Sequence, residues 1–209
     1  MMKLERILEL MEKSAKKMNA PVFEFKFKKP FDILVAAVLS TRTKDEITLK
    51  AVTRLLSRFK TVDAISNADV KEIANLIYPV GFYREKAKKL KKLAKILKKK
   101  YKSKVPRKKA SLLKLPGVGE KVANVVLANA FGEDVIAVDT HVHRIANRLG
   151  LVNTKSIRET EKVLNKIIPR TLRKRLNKIF VAYGQTICLP KNPKCDICSI
   201  KKWCKYYSK

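Results

Sequence analysis

The chain has 209 residues, 46% of them hydrophobic, which is enough to build a folded core and excludes a wholly disordered protein. Its 49 Lys and Arg against 18 Asp and Glu give a formal net charge of +31 at pH 7. This excess indicates a polyanionic partner, and nucleic acid is the usual one because each contacted phosphate releases a condensed counterion. A lysine-rich proteome is the alternative explanation, but Glu is not enriched to match, as it is in hyperthermophiles.

The first residues form a charged amphipathic segment and do not resemble a signal peptide. The longest apolar run, residues 33–39, is too short to cross a bilayer. We therefore expect an intracellular protein, cytoplasmic and associated with the nucleoid. Disulfides are rare in such a reducing compartment, so the four cysteines are expected to serve another purpose.

Apolar residues recur at helical spacing through most of the chain. The clearest stripes are Leu4, Ile7, Leu8 and Met11; Ile47, Ala51, Leu55 and Phe59; and Leu90, Leu93, Ala94, Leu97 and Tyr101. Residues 157–168 and 172–183 have the same character, whereas the one strand candidate, residues 22–27, is short and flanked by prolines. We predict an all-α fold of moderately long helices with short connections.

A strongly basic run covers residues 86–109, in which 14 of 24 residues are Lys or Arg and none is acidic. The run is either a surface that faces the phosphates of a nucleic acid or a solvated helix face, which is the commoner fate of a charge run. In both cases it contributes to long-range steering of a polyanion.

A glycine turn, Gly117-Val118-Gly119, separates two predicted helices, residues 108–114 and 122–131. Two glycines two residues apart allow a tight turn with positive φ and no Cβ to block close approach. Such a turn presents backbone N–H groups at the start of the next helix, where the helix dipole favours an anion. The turn indicates phosphate binding, although a G-x-G between helices is often only a tight connection.

The string LPGVGEKVANVVL at residues 115–127, followed by IAVDTHVHR at residues 136–144, resembles the helix-hairpin-helix DNA glycosylases, and most closely their endonuclease III branch. The resemblance extends from Pro30 to Cys204. It implies two helical lobes with the active site in the cleft between them: a helix-hairpin-helix barrel of residues 24–134, and a second lobe of residues 1–23 and 135–209. It also implies a monomeric enzyme, a DNA N-glycosylase and AP lyase, that acts on double-stranded DNA containing damaged bases or abasic sites.

The resemblance assigns the chemistry to Lys121 and Asp139. Lys121 lies at the mouth of the second hairpin helix, where the dipole opposes a cation and favours the neutral amine that a Schiff-base nucleophile needs. The matching lysine of the family attacks C1′ of the deoxyribose. Asp139 precedes an apolar-periodic helix at residues 142–149 and is a natural N-cap. The matching aspartate stabilises positive charge on the sugar and assists proton transfers, and both roles can hold together.

Two loops of the family extrude the damaged nucleotide and fill the gap, and they match residues 40–45 and 80–83. Bacterial members commonly carry Gln at the plug position and often Leu at the wedge position, where this chain has Arg42 and Phe82. Phe82 can intercalate and Arg42 can hydrogen-bond an orphaned base, most naturally guanine. The alternatives are a core residue for Phe82 and a phosphate contact for Arg42. The resemblance places three polar side chains in the pocket, Ser40, Asp45 and His141, and Asp45 also suits the N-cap of a helix at residues 47–59.

The four cysteines lie within the last 22 residues, spaced Cys188-x6-Cys195-x2-Cys198-x5-Cys204. Four thiolates can hold zinc or a [4Fe–4S] cluster. Zinc sites usually use two short knuckles, and only Cys195 and Cys198 form one, so the spacing alone favours iron–sulfur. The same spacing occurs in endonuclease III, and the resemblance therefore implies a [4Fe–4S] cluster that braces the loop. It also implies DNA-phosphate contacts by two basic residues of that loop, Lys191 and Lys194.

The resemblance implies a bifunctional DNA glycosylase/AP lyase that excises oxidised pyrimidines through a Lys Schiff base and cleaves 3′ to the abasic site by β-elimination. Lys121 favours the bifunctional reaction because branches that only remove bases lack this lysine. One alternative is a mismatch or oxidised-purine glycosylase on the same fold. The other is a non-catalytic DNA-binding module with a zinc-stapled tail.

Overall fold

The computed structural model describes residues 2–208, which form eleven α-helices and two short 3₁₀-helices. In chain order the α-helices are α1 (Met2–Lys17), α2 (Pro30–Leu39), α3 (Asp45–Arg58), α4 (Val62–Asn67), α5 (Val70–Ile77), α6 (Tyr83–Tyr101), α7 (Lys109–Leu112), α8 (Glu120–Phe131), α9 (Thr140–Arg148), α10 (Ile157–Ile167) and α11 (Arg170–Thr186). No strand forms within residues 2–208, and the predicted all-α class is confirmed. None of the helices in this range is long and apolar enough to cross a membrane.

The strand candidate at residues 22–27 was wrong. Pro21 begins a 3₁₀-helix, Pro21–Glu24, and Phe23 N–H donates to Ala20 O at 3.0 Å. Proline fixes φ at a value that suits the first turn of a helix, and a short alternating segment without a partner strand gains no ladder hydrogen bonds. The Phe23 ring instead lies under two ammonium groups, those of Lys16 and Lys178.

The chain folds as two compact units, one of which is assembled from both ends of the sequence. One unit is Lys26–Glu133, and the other combines Met1–Phe25 with Asp134–Lys209. The predicted lobe of residues 24–134 begins two residues before the first unit and ends one residue after it.

The unit Lys26–Glu133 is organised around α2, which contacts α3, α6 and α8. Every residue from Ile33 to Leu39 is buried, which explains the longest apolar run of the sequence, because a helix that is apolar all round lies in a core. Helix α6 packs on α4 and α5 through Ala87, Leu90, Leu93, Ala94 and Leu97, and most of its lysines point to solvent.

The other unit is organised around α11, which contacts α1, α9 and the 3₁₀-helix Pro21–Glu24. Phe180 and Tyr183 of α11 are among its largest fully buried side chains. Helix α10 begins with a capping box, in which the Ser156 hydroxyl accepts from Glu159 N–H and the Glu159 carboxylate accepts from Ser156 N–H.

Candidate active site and DNA interface

The glycine turn joins α7 to α8, as the sequence predicts, but its two glycines have different conformations. Gly117 has φ +83°, and a Cβ there would lie 3.3 Å from Val38 Cγ1. Gly119 has φ −99° and ψ −175°, an extended conformation, and no heavy atom lies within 4 Å of the position that its Cβ would take. Positive φ is therefore required only at Gly117. Gly119 keeps the N-terminus of α8 open, where the first N–H groups have no partner one turn earlier.

Val118, predicted to contact DNA, has a buried side chain, and its N–H donates to Leu115 O at 3.1 Å. Any contact of this turn with a phosphate therefore falls to the neighbouring glycines and to the first residues of α8. Glu120, the first residue of α8, forms an ion pair of 2.6 Å with Lys109 of α7, which ties the two hairpin helices together.

Helix α8 begins two residues before the predicted residue 122, so Lys121 is the second residue of the helix, and its side chain is half-buried. The helix follows the turn directly, so the lysine is fixed in register with Gly119, the N-cap of α8. Together these residues place a primary amine beside a helix N-terminus suited to a phosphate.

Asp139 caps α9, as the sequence predicts. Its Oδ1 accepts hydrogen bonds from the N–H groups of His141 and Val142, each at 2.9 Å. Both capping bonds use the same carboxylate oxygen, and the N-terminal end of the helix dipole favours the negative charge. Asp139 belongs to the unit that contains Asp134–Lys209, and Lys121 belongs to Lys26–Glu133.

Arg42 and Phe82 lie side by side on the unit Lys26–Glu133. The Phe82 side chain is 62% exposed, so the alternative of a core residue was wrong. The guanidinium carbon of Arg42 lies 5.5 Å from the centroid of the Phe82 ring, within the range of a cation–π contact. Both residues adopt left-handed backbone, with φ values of 52° and 58°. Two loops that are separate in sequence thus present an arginine and an aromatic ring at one exposed position.

Lys86 is a residue of this region that the sequence did not single out. It is only 6% exposed, and burial, with a smaller contribution from the charge of Lys89, lowers its pKa to about 8. Its Nζ donates to Leu39 O at 2.9 Å, to Thr41 O, and to Thr43 Oγ1 at 3.2 Å. The signal was its helical phase, because Lys86 precedes Leu90 by four residues and so shares the buried face of α6.

The three predicted pocket residues are divided between the units. Ser40 is half-buried and its hydroxyl donates to Ala37 O at 3.0 Å. Asp45 is not an N-cap: it is the first residue of α3, and Lys44 is the N-cap, whose carbonyl accepts from Thr48 N–H. Asp45 still lies where the dipole favours a carboxylate. His141 belongs to the other unit, with Nδ1 3.1 Å from Nη2 of Arg144.

All four cysteines line one cavity, with an empty volume of about 420 Å³ that includes its part open to solvent. They are half-buried, and within the described residues none forms a disulfide. Arg148 Nη1 donates to Cys188 Sγ at 3.3 Å, and Tyr183 Oη lies 3.2 Å from Cys198 Sγ. Burial and the neighbouring thiols raise the pKa of Cys195. Among residues 2–208, no group of three or more His, Cys, Asp or Glu side chains is arranged to hold a metal ion directly.

The loop between the first two cysteines exposes the side chains of both Lys191 and Lys194. The backbone of this loop is anchored where Lys194 N–H donates to Ile187 O at 2.9 Å. Arg144 of α9 holds the start of the same segment, because its guanidinium donates to Cys188 O, at 2.8 Å from Nη2. The helix capped by Asp139 is therefore hydrogen-bonded to the cysteine segment.

Comparison with known proteins agrees with these features. The chain matches the family model of the HhH-GPD superfamily base excision DNA repair protein over residues 35–170. Endonuclease III of Thermotoga maritima is 44% identical over 178 residues, covering 85% of this chain and 84% of that one. Endonuclease III of Buchnera aphidicola is 33% identical over 208 residues, covering 100% of both chains. The solved structure of a trapped endonuclease III–DNA covalent intermediate superposes with a TM-score of 0.87 at 34% identity, covering 99% of this chain and 96% of that one.

The family match covers more than half of the chain, and the relatives align along most of it. The predicted family is confirmed on both sequence and fold. The chain belongs to the HhH-GPD superfamily of base excision DNA repair proteins, within which it is an endonuclease III-like DNA glycosylase.

Proposed function

We propose that this protein is a bifunctional DNA glycosylase and AP lyase that binds double-stranded DNA, excises oxidised pyrimidines and cleaves the strand at the resulting abasic site. The observation that carries the proposal is the position of Lys121, the second residue of α8, directly after the glycine turn. A backbone phosphate bound by amides at the start of α8 would hold the DNA strand beside this amine. Proximity of this kind can supply much of the rate enhancement of a nucleophilic step.

In the proposed reaction, Lys121 Nζ attacks C1′ of the damaged nucleotide. The new N–C1′ bond replaces the glycosidic bond, and the base leaves with the bonding electron pair and takes up a proton. The nitrogen then gives up one proton, and its lone pair opens the sugar ring: the C1′–O4′ bond breaks, O4′ takes up a proton, and a protonated imine forms between Lys121 and C1′. Removal of a C2′ proton breaks the C3′–O bond, so the 3′ phosphate leaves as an anion. Water hydrolyses the imine and releases Lys121, and no redox partner is required.

We assign to the carboxylate of Asp139 the stabilisation of the positive charge that develops on the sugar. Its Oδ1 is held by two N–H groups of α9, so the side chain is oriented before substrate binds. A carboxylate fixed in this way can stabilise an oxocarbenium-like sugar and can accept and return protons in the elimination.

Arg42 and Phe82 are assigned to extrusion of the damaged nucleotide. An exposed aromatic ring can wedge between stacked bases, and the adjacent guanidinium can hydrogen-bond the base left without a partner. Unstacking and unpairing cost a few kcal/mol, which such contacts must offset.

We assign Cys188, Cys195, Cys198 and Cys204 as ligands of a [4Fe–4S] cluster. Support comes from their shared cavity and from a donor set of four thiols. These four residues would hold the cluster through their thiolates, the ligands that iron–sulfur clusters use. When bound, the cluster would brace the loop that carries Lys191 and Lys194, whose ammonium groups would bind DNA phosphates.

A panel of duplexes containing thymine glycol, 8-oxoguanine, a mismatch or an abasic site tests the substrate assignment. With borohydride present, the parent enzyme should form a covalent complex fastest on thymine glycol and abasic DNA, and Lys121→Gln should form none. Preferred excision of 8-oxoguanine or of a mismatched base would instead establish the oxidised-purine or mismatch alternative.

Metal analysis of anaerobically purified protein tests the cluster and the non-catalytic alternative. The proposal requires iron and sulfide in nearly equal amounts, close to four of each per chain for a [4Fe–4S] cluster. Zinc without iron or sulfide, together with no turnover of any lesion, would identify a DNA-binding module with a zinc-stapled tail.

A further inference from the structure

In the two loops that carry Arg42 and Phe82, the backbone adopts a conformation that depends on contacts with other parts of the chain. Both residues have positive φ, 52° and 58°, a region that non-glycine residues adopt only with strain. Such conformations persist only where surrounding contacts impose them. The contacts that impose them here converge on Lys86.

Lys86 connects α6 to the loop that carries Arg42. It lies in the first turns of α6, a few residues after Phe82, and its ammonium donates to two backbone carbonyls and one hydroxyl of residues 39–43. The partner carbonyl of Leu39 is 47 residues earlier in the chain. Lys86 thereby holds the loop of Arg42 against the helix that begins at the Phe82 turn.

The position of the ammonium explains how a buried lysine is tolerated. Helix α2 ends at Leu39, so Leu39 O and Thr41 O lie at the negative end of its dipole, which favours a cation. With a pKa of about 8, Lys86 is protonated at neutral pH and has three N–H donors for its three oxygen acceptors. Its hydrogen-bonding capacity is therefore fully used by the loop.

Thr43 and Gly81 complete the connection. Thr43 Oγ1 accepts from Lys86 Nζ at 3.2 Å and from Gly81 N–H at 3.1 Å. A Cβ on Gly81 would lie 2.6 Å from Arg42 O, closer than a real Cβ contact allows. The turn before Phe82 is thus in direct contact with the backbone of Arg42, and one hydroxyl links both to Lys86.

We propose that Lys86 is a positioning residue for nucleotide extrusion, which locks the Arg42 loop to the Phe82 turn so that both side chains enter DNA as one preformed unit. The proposal rests on the proposed function, because it gives these two side chains a role in extrusion. Preformed loops avoid the loss of conformational freedom that flexible loops would incur on binding. Lys86 is buried and bonded to the Arg42 loop, so we assign it a role through these loops and no contact with the substrate.

The first test compares Lys86→Met with Lys50→Met, which makes the same change at an exposed position of α3. Base extrusion is followed by the fluorescence of 2-aminopurine placed opposite a tetrahydrofuran abasic analogue. We expect Lys86→Met to lose most of the fluorescence increase and about tenfold or more in kcat on thymine glycol duplex, as misplaced groups commonly do. Borohydride trapping on single-stranded abasic DNA, which needs no extrusion, should stay within about twofold of the parent. Lys50→Met should match the parent in all three measurements.

The second test distinguishes the contribution of the Thr43 hydroxyl from that of the shape of the side chain. Thr43→Val keeps the shape without the hydroxyl, whereas Thr43→Ser keeps the hydroxyl. We expect Thr43→Val to reproduce the duplex defect of Lys86→Met, and Thr43→Ser to resemble the parent. The double variant Lys86→Met/Thr43→Val should excise from duplex DNA no more slowly than the slower of the two single variants, because both changes break one network.

Two results would overturn the proposal. If Lys86→Met and Thr43→Val excise and extrude like the parent, the network does not position the loops. If single-stranded trapping falls in parallel with duplex excision, Lys86 has only a general role in stability. A failure of the proposed lyase chemistry is recognised separately, because the parent would then trap no DNA. The 2-aminopurine signal requires binding alone and would still test Lys86.

Discussion

Oδ1 of Asp139 accepts both hydrogen bonds that cap α9. A substitution that keeps this oxygen but removes the charge can therefore distinguish the capping role of Asp139 from its proposed catalytic role. Asparagine caps helices about as well as aspartate but carries no charge. We expect Asp139→Asn to change the free energy of unfolding by less than about 0.5 kcal/mol. The same variant should lose about a hundredfold or more in excision rate, the usual contribution of a general acid or base. Urea denaturation and single-turnover excision measure the two effects.

Asp139→Ala is the matched control, because it removes both the cap and the carboxylate. It should lose activity to a similar extent and in addition about 1 kcal/mol of stability. If Asp139→Asn excised thymine glycol at nearly the rate of the parent, Asp139 would be a helix cap and nothing more.

Within the hairpin element, we expect Gly117 to stabilise the turn and Gly119 to allow a phosphate to approach α8. Gly117→Ala places a Cβ at positive φ and close to Val38, and we expect the free energy of unfolding to fall by about 1 kcal/mol or more. Gly119→Ala meets open space and extended backbone, so its stability should stay within about 0.5 kcal/mol of the parent. The added methyl group would obstruct a phosphate at the start of α8, so DNA affinity should fall.

Thermal unfolding and DNA titration of the two hairpin variants, at one salt concentration, check this division. Equal destabilisation by Gly117→Ala and Gly119→Ala would show that both glycines serve the fold. Unchanged DNA affinity of a stable Gly119→Ala protein would show that this turn does not approach a phosphate.

Elements with a strong local signal were predictable from the sequence. The buried stripe of α6 follows from helical periodicity, and the cap at Asp139 follows from its place before an apolar helix. The hairpin is also local, because a glycine turn between two helical segments is visible in a few residues. The resemblance to endonuclease III then supplied roles that periodicity cannot supply.

Features that depend on tertiary contacts or on backbone angles were not predictable. Lys86 was hidden in a basic run, since its partners are oxygens of a loop about 45 residues away in sequence. The extended conformation of Gly119 was missed because glycine permits positive φ without requiring it. Asp45 was misassigned by one residue, an ordinary error at helix ends.

At the scale of the molecule, the net charge of +31 should dominate encounter with DNA. We expect replacement of three exposed lysines of α6, Lys92, Lys95 and Lys99, by Gln to slow association with DNA at low salt. The difference from the parent should vanish near 0.5 M salt, where the Debye length is only about 4 Å and long-range steering is screened.

Stopped-flow association rates across a salt series measure this effect. If the triple variant still bound more slowly at high salt, α6 would contact phosphates directly, and its lysines would belong to the binding surface. The slope of log affinity against log salt gives the number of phosphates neutralised. If α6 contacts phosphates directly, this slope would be less steep in the triple variant than in the parent.

The proposed function depends above all on the covalent bond between Lys121 and the sugar. Its most direct test is tandem mass spectrometry of the complex trapped by borohydride on thymine glycol duplex, after digestion of protein and DNA. We expect a deoxyribose-derived mass on Lys121 alone among the 49 Lys and Arg residues. A remnant on any other residue, or turnover of the lesion with no adduct at all, would contradict it.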